Sequence, residues 1–344
     1  MGIYSSAFRT ATQLTAQARA AADVVAGGFQ LSAWFPSQEN FSLSYDFDPS
    51  AVSLTDAATY RTFETEAPYG STPGDQARSG KLPPISRKLR VKEYDQLTLF
   101  GQTDAIGAKF DDYAQRLGAQ IAARVALAQG QAVETGTIVL QENGLNFTID
   151  FGRKAGHTVT AATPWSTITA NALGDLTAYV AAYVATNGTA PAVAMMSTAI
   201  LSALQKNQSI IGAATGAAVA NQPAIISQDQ VRAVFASYGF GRIVVNDDQV
   251  NVANVATRLI SSDKLIFLPE SGGALGVGGG LGSTEWGVPA EAINSDYGIA
   301  DSEKPGLFAA AFHDNDPEGH NVLASAIVLP VENNANRTLA ADVL

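Results

Sequence analysis

The chain has 344 residues, of which 46% are hydrophobic and 15% charged, with a formal net charge of −11 and no cysteine. Without cysteine there is no disulfide framework, no thiol nucleophile and no thiolate metal site. No apolar run approaches the ~18 residues of a membrane span, and no basic segment followed by an apolar stretch opens the chain as a secretory signal would. These features predict a soluble intracellular product, or a component of something assembled inside a cell. The acidic balance argues against gripping duplex DNA through a general positive field.

Residues 1–30 begin with a helix. Ala7, Phe8, Ala11, Leu14, Ala18, Ala21, Val24 and Val25 form a weak apolar stripe, stopped by Gly27-Gly28. The stripe is too poor to hold a core alone, so this element is an arm docked on something. Short strands follow, with Phe41, Leu43, Tyr45 and Phe47 alternating with polar residues. Residues 67–84 are rich in Gly, Pro and Ser and read as an extended excursion.

The basic segment 78–92 comes next. Arg78, Lys81, Arg87, Lys88, Arg90 and Lys92 place more than a quarter of all Lys and Arg in it, with no acid between them. Alternation at Leu89 and Val91 suggests a strand returning from a loop tip near Ser79-Gly80. Three explanations compete: a nucleic-acid contact, a solvated charged loop, or pairing with acids on a neighbouring copy. The lack of interleaved aromatics weakens the first. A two-stranded arm has too little core to be stable alone and needs a partner to lie on.

Residues 104–131 read as one long helix. Ile106, Phe110, Tyr113, Leu117, Ile121 and Val125 recur at spacings of three and four, and seven alanines supply propensity. At 1.5 Å per residue the helix would be about 40 Å long. Gly107 and Gly118 each cost about 1 kcal/mol relative to Ala, so they mark close packing or bending.

Beyond it, segments 137–140 and 145–151 form a hairpin around Asn143-Gly144, a strong turn signal. A second helix spans 175–186, stopped by Asn187-Gly188. An α/β region follows. It has a strand at 192–196, a helix capped by Ser197 and running to Lys206, and an Ala/Gly-rich loop at 207–223. Ser227 and Gln230 then stand at capping-box spacing before a helix ended by Gly239. Strands are expected at 242–245 and 265–268, a glycine-rich loop at 272–282, and a terminal hairpin from 308–312 and 322–331.

The search for chemistry yields little. The glycine-rich loop has neither Gly-x-Gly-x-x-Gly spacing nor a following Gly-Lys-Ser/Thr. His313, Asp314, Asp316, Glu318 and His320 are the densest ligand-like cluster. Ser325 stands where a calcium loop needs Glu, and a proline interrupts, so an exposed turn is the expected reading. No Gly-x-Ser-x-Gly elbow appears. No enzyme, metal or cofactor is expected.

The order of elements resembles the HK97-fold major capsid proteins of tailed phages, and within them the lambda-type major capsid protein E family. The resemblance rests on Trp34-Phe35-Pro36, Tyr69-Gly70, Pro83-Pro84, the run Ile149-Asp150-Phe151-Gly152-Arg153, Thr163-Pro164-Trp165 with Asp175, Tyr238-Gly239, Phe267-Leu268-Pro269 and Asp316-Pro317. It covers nearly the whole chain, and the shared order is its specific part.

The resemblance implies an α+β fold with five parts. These are an N-terminal arm at 1–30, strands and an extended E-loop at 31–100, and a peripheral (P) domain at 101–170 holding the spine helix. An axial (A) domain at 171–300 and a C-terminal hairpin at 301–344 that returns to the P domain complete it. It further implies pentamers and hexamers closing into an icosahedral shell around double-stranded DNA, bound without sequence specificity. Separate scaffold and portal proteins, a possible decoration protein and assembly in the host cytoplasm belong to the same picture. Within it, Arg78, Lys81, Arg87, Lys88, Arg90 and Lys92 would face acids of a neighbour, with Asp104, Asp111, Asp112, Asp46 and Asp48 as candidates. No Asn and Glu motif accompanies Lys81 or Lys88, so no covalent crosslink is expected. An encapsulin-like compartment shell and an unrecognised α/β enzyme are the alternatives.

Overall fold

The computed structural model describes residues 3–47, 58, 60–66, 78–99, 101–272, 280–315 and 318–344. Asp48, Tyr69-Gly70, Asp316-Pro317 and most of the glycine-rich loop lie outside these residues. The chain divides into two units: 1–45, 79–129 and 283–331 in the first, and 46–78, 130–282 and 332–344 in the second.

The first unit is a sheet covered by helices. Its spine is the 14-residue strand Glu318–Val331, which pairs antiparallel with Phe308–Asn315 on one edge. That edge continues with Ser283–Gly287, and the other edge carries Pro84–Val91, since Ile327 pairs with both Gly287 and Pro84. Ile3–Tyr4 pairs outside Phe308–Asn315, and Ser37–Glu39 outside Ser283–Gly287. The strands alternate as period-two patterning requires. Ala309, Ala311, Val322, Ala324 and Ala326 face one core, and Phe308 and Ala310 face a smaller one with Ala292.

Two helices close the larger core. The long helix runs Thr103–Thr135, four residues beyond the end expected from sequence. Its stripe Ile106, Phe110, Leu117, Ile121 and Val125 is buried as the periodicity predicts. The N-terminal helix Ala11–Gly28 starts at a Thr10/Gln13 capping box and buries Leu14, Ala18 and Ala22. The arm is thus docked on its own chain. Val24, assigned to the stripe, is exposed instead. A Cβ on Gly118 would sit 2.1 Å from the Ala18 carbonyl oxygen, so the two helices touch backbone to backbone there.

The second unit is an α/β layer. Its sheet runs Arg242–Val245, Val193–Met196, Lys264–Leu268, Leu339–Asp342 and Thr158–Thr160. Helices Ala172–Asn187, Thr198–Lys206, Gln208–Thr215 and Gln228–Tyr238 enclose a core around Trp165, Leu176, Leu201, Phe235 and Phe267. The Ser227/Gln230 capping box forms, and Gly188 and Gly239 end their helices at φ 71° and 72°.

The segment expected as a loop at 207–223 contains a helix. Asn207 caps it, accepting from Ser209 and Ile210 N–H, Ile210 and Ile211 are buried, and Gly216 closes it at φ 67°. The Asn143-Gly144 hairpin forms between Thr137–Glu142 and Leu145–Asp150. A second hairpin, Gln249–Val252 with Val255–Arg258, was not legible in the sequence.

Candidate assembly surface

The basic segment forms two strands, Arg78–Lys81 and Pro84–Val91. Arg78–Lys81 pairs with Ser44–Phe47, so Ser79-Gly80 lies within a strand and not at a loop tip. A Cβ on Gly80 would meet the Tyr45 hydroxyl at 2.5 Å, so only glycine lets that ring lie across the ribbon. Arg78 pairs with Asp150 at 3.0 Å. The Gly152 N–H and the Arg78 guanidinium hold the Asp150 carboxyl below the usual carboxylate range, against partial burial.

The second strand, Pro84–Val91, turns Ile85, Leu89 and Val91 toward the core and leaves Arg87, Lys88 and Arg90 exposed, as are Lys81 and Lys92. Among the described residues it pairs along one edge only, with Glu318–Val331. A row of cations is a common guard on such an edge, since charge opposes unspecific strand addition. Arg90 also reaches the Glu318 carbonyl at 3.4 Å.

The acidic candidates separate. Asp111 is bound by Arg9 at 2.9 Å, and Asp112 by Arg116 at 3.0 Å, one helical turn away. Asp104, in the first turn of the long helix, and Asp46, on Ser44–Phe47, are exposed. An acid in a first helical turn also suits the helix dipole.

Sequence reasoning also missed several exposed apolar side chains. Tyr60 and Phe63 are fully exposed, and Phe41, Leu43, Tyr94 and Leu97 are each more than half exposed. The usable signal was Phe63 inside Arg-Thr-Phe-Glu-Thr-Glu, an aromatic residue with no apolar partner at strand or helix spacing. A cavity of about 240 Å³ in the first unit is bordered by Ala22, Phe35, Val125, Ala126, Gln129 and Trp286. Within its lining Gln129 Nε2 donates to Thr284 Oγ1 at 3.0 Å, and Thr284 Oγ1 in turn donates to the Phe35 carbonyl at 3.1 Å.

Among the described residues no group of His, Asp and Glu converges as a metal site would, and no helix is long and apolar enough to cross a membrane. His157, which ends the short turn Ala155–His157, is buried. One ring nitrogen lies 2.8 Å from the Thr338 carbonyl and the other 3.0 Å from Thr186 Oγ1. It serves the core of the second unit.

Comparison with known proteins fits this surface-rich, site-poor molecule. A prophage protein of Escherichia coli CFT073 described as a capsid protein superposes with a TM-score of 0.62 at 13% identity, covering 97% of this chain and 99% of that one. A phage-related protein of Bordetella bronchiseptica RB50 gives 0.59 at 12% identity, covering 99% and 97%. At such identities the likeness shows the fold, the HK97-type α+β architecture. None of the curated proteins compared with the chain matches it. The family model for phage major capsid protein E matches residues 52–343, most of the sequence. The chain therefore belongs to the phage major capsid protein E family and is a structural capsid subunit.

Proposed function

We propose that this subunit assembles through pentamers and hexamers into a closed icosahedral shell enclosing double-stranded DNA. Membership of the capsid family over residues 52–343 carries the reading. In it, residues 1–30 are the N-terminal arm and 31–100 hold the strands and the E-loop. Residues 101–170 form the P domain around the long helix, 171–300 the A domain, and 301–344 the hairpin returning to the P domain.

The exposed cations Lys81, Arg87, Lys88, Arg90 and Lys92 meet acids of a neighbouring copy. Asp104 and Asp46 are the better placed acids, because Asp111 and Asp112 already have partners in their own chain. A contact between exposed charges contributes only about 0.2–1 kcal/mol, and it suffices when a closed lattice repeats it many times. Tyr60 and Phe63 supply apolar area that charge pairs lack. The net charge of −11 suits a container that should not grip its DNA. Scaffold and portal are separate proteins, a decoration protein is possible, assembly occurs in the host cytoplasm, and no catalysis is involved.

Electron microscopy of the purified protein, alone and co-produced with the products of neighbouring genes, tests this. Closed shells or rings of five and six are expected. A stable dimer or tetramer under both conditions would sink the reading. Shells carrying a co-purified enzyme in place of DNA would mean an encapsulin-like compartment.

A further inference from the structure

Residues 3–10 cross the first unit as a strap held at three places. Ile3 and Tyr4 pair with His313 and Phe312, and the Ser5 N–H donates to the Ala311 carbonyl at 3.1 Å. Arg9 reaches Asp111 at 2.9 Å. Between these anchors Phe8 packs on Phe110 at 5.5 Å and on His320 at 5.4 Å, ring centre to ring centre.

His320 also lies 5.6 Å from Phe110, so its imidazole takes the place of a third aromatic core ring. Its Nδ1 is buried without a hydrogen-bond partner among the described residues. Directly across the hairpin stands His313, with ring centres 5.0 Å apart. A cavity of about 290 Å³ bordered by Phe8, Gln96, Gly101, Thr103, Ile106 and His320 adjoins the cluster. Phe8 therefore rests on a titratable ring with open space beside it.

We propose that His320 is a proton-operated latch: neutral, it holds Phe8 and the strap against the long helix, and charged, it frees residues 3–10. A charged imidazole here would bury a donor with no acceptor, a desolvation penalty that cation–π attraction to two phenyl rings offsets only in part.

The surrounding charges are mostly committed. On the same hairpin, Glu318 favours the charge on His320 but is engaged by His313 at 2.5 Å, and Asp314 is held by Asn321. Arg90 of the basic strand lies against Gly319. Asp95 before the long helix is taken by Lys109, and Asp111 by Arg9.

Burial first, then His313, hold the His320 imidazole below its ordinary value, with Glu318 opposing. The released strap thus binds the proton better than the closed one. The latch is at full strength above the ordinary value of about 6.5 and weakens as pH falls from there toward the lowered one. Hydrogen–deuterium exchange of the peptide covering residues 3–10 at pH 7.5 and 5.5, corrected for intrinsic rates, reads the opening directly. Peptides from Ala172–Asn187 report whether the rest of the chain stays folded.

The strap should exchange severalfold faster at the lower pH, because the open state binds the proton better than the closed one, while the reference peptides do not change. His320→Phe should abolish the dependence, because a phenyl ring fills the same place without titrating. A nuclear magnetic resonance titration of the wild-type His320 ring should share its midpoint with the opening, which covers the case of a variant that does not fold. Equal protection of the wild-type strap at both pH values overturns the latch. So does acid opening retained in a folded His320→Phe variant, or a ring titration that does not coincide with the opening.

Discussion

Arg153 and Glu332 form a loose buried pair, 3.9 Å apart, in the second unit. Arg153 donates to the carbonyls of Ala132, Val133 and Glu134, the last turn of the long helix, so its charge also suits the negative end of the helix dipole. Among the described residues neither Glu332 oxygen has a hydrogen bond of ordinary geometry; the Thr338 hydroxyl, which donates to Ala335, lies close enough to favour the charged carboxylate slightly. Complete burial pushes the Glu332 carboxyl up from 4.5 to about 7, with Arg153 pulling the other way. The folded state then holds a proton that the unfolded chain has lost, so this group's contribution to stability falls as pH rises from about 4.5 to about 7 and is level above. Urea midpoints for wild type and Glu332→Gln at pH 5 and pH 7.5 check the sign: only the wild type should show this decline. Removing Arg153 with Ala should cost roughly 3–5 kcal/mol, because it leaves a buried acid without its cation and three carbonyls without their donor.

Helix contact and turn chemistry decide the elements. The N-terminal helix crosses the long helix where Gly118 meets the Ala18 backbone, and backbone cannot swing aside as a side chain can. Gly118→Ala should therefore destabilise the first unit by about 1–3 kcal/mol, the usual range for overpacking, despite its better helix propensity. Thermal unfolding measures it. At Gly107 the obstacle is the far end of Arg9, which can move, so Gly107→Ala should be much milder. The hairpin at Ala253-Asn254 shows the opposite situation. Both residues have positive φ, 50° and 66°, a turn that favours Asn-Gly. Asn254→Gly should stabilise it by roughly 0.4–1 kcal/mol, since alanine and asparagine hold that conformation under strain. The same chemistry explains why this hairpin escaped sequence reading while Asn143-Gly144 did not: Ala-Asn carries no turn signal.

At the scale of the whole molecule the charge distribution matters most. The exposed cations of Pro84–Val91 stand on a strand already anchored to Glu318–Val331, so reversing them should spare the subunit's fold. The triple change Arg87→Glu, Lys88→Glu and Arg90→Glu should block shell assembly while circular dichroism and thermal unfolding stay near wild type. Intact shells from that variant would remove the strand's proposed role. Because exposed pairs weaken with salt, wild-type assembly should also become slower above about 0.5 M ionic strength.

The sequence by itself determined the elements whose signals are local. The stripe Ile106 to Val125 fixed the long helix, Ser197 and Ser227 their caps, Asn143-Gly144 a hairpin, and the order of these parts the family. Local periodicity reports which face a residue shares, and caps report where a helix begins, so both survive without tertiary information. Only the tertiary structure decided what each face meets. The basic segment carries the same pattern whether it floats free or pairs with Glu318–Val331, because strand pairing joins residues more than two hundred positions apart. Asp111 looks as available as Asp104 until Arg9 is seen to reach it. His320 reads as one more polar residue in a turn until Phe8 and Phe110 close around it. Burial and pairing are properties of approach in space, and a single chain read in order does not contain them.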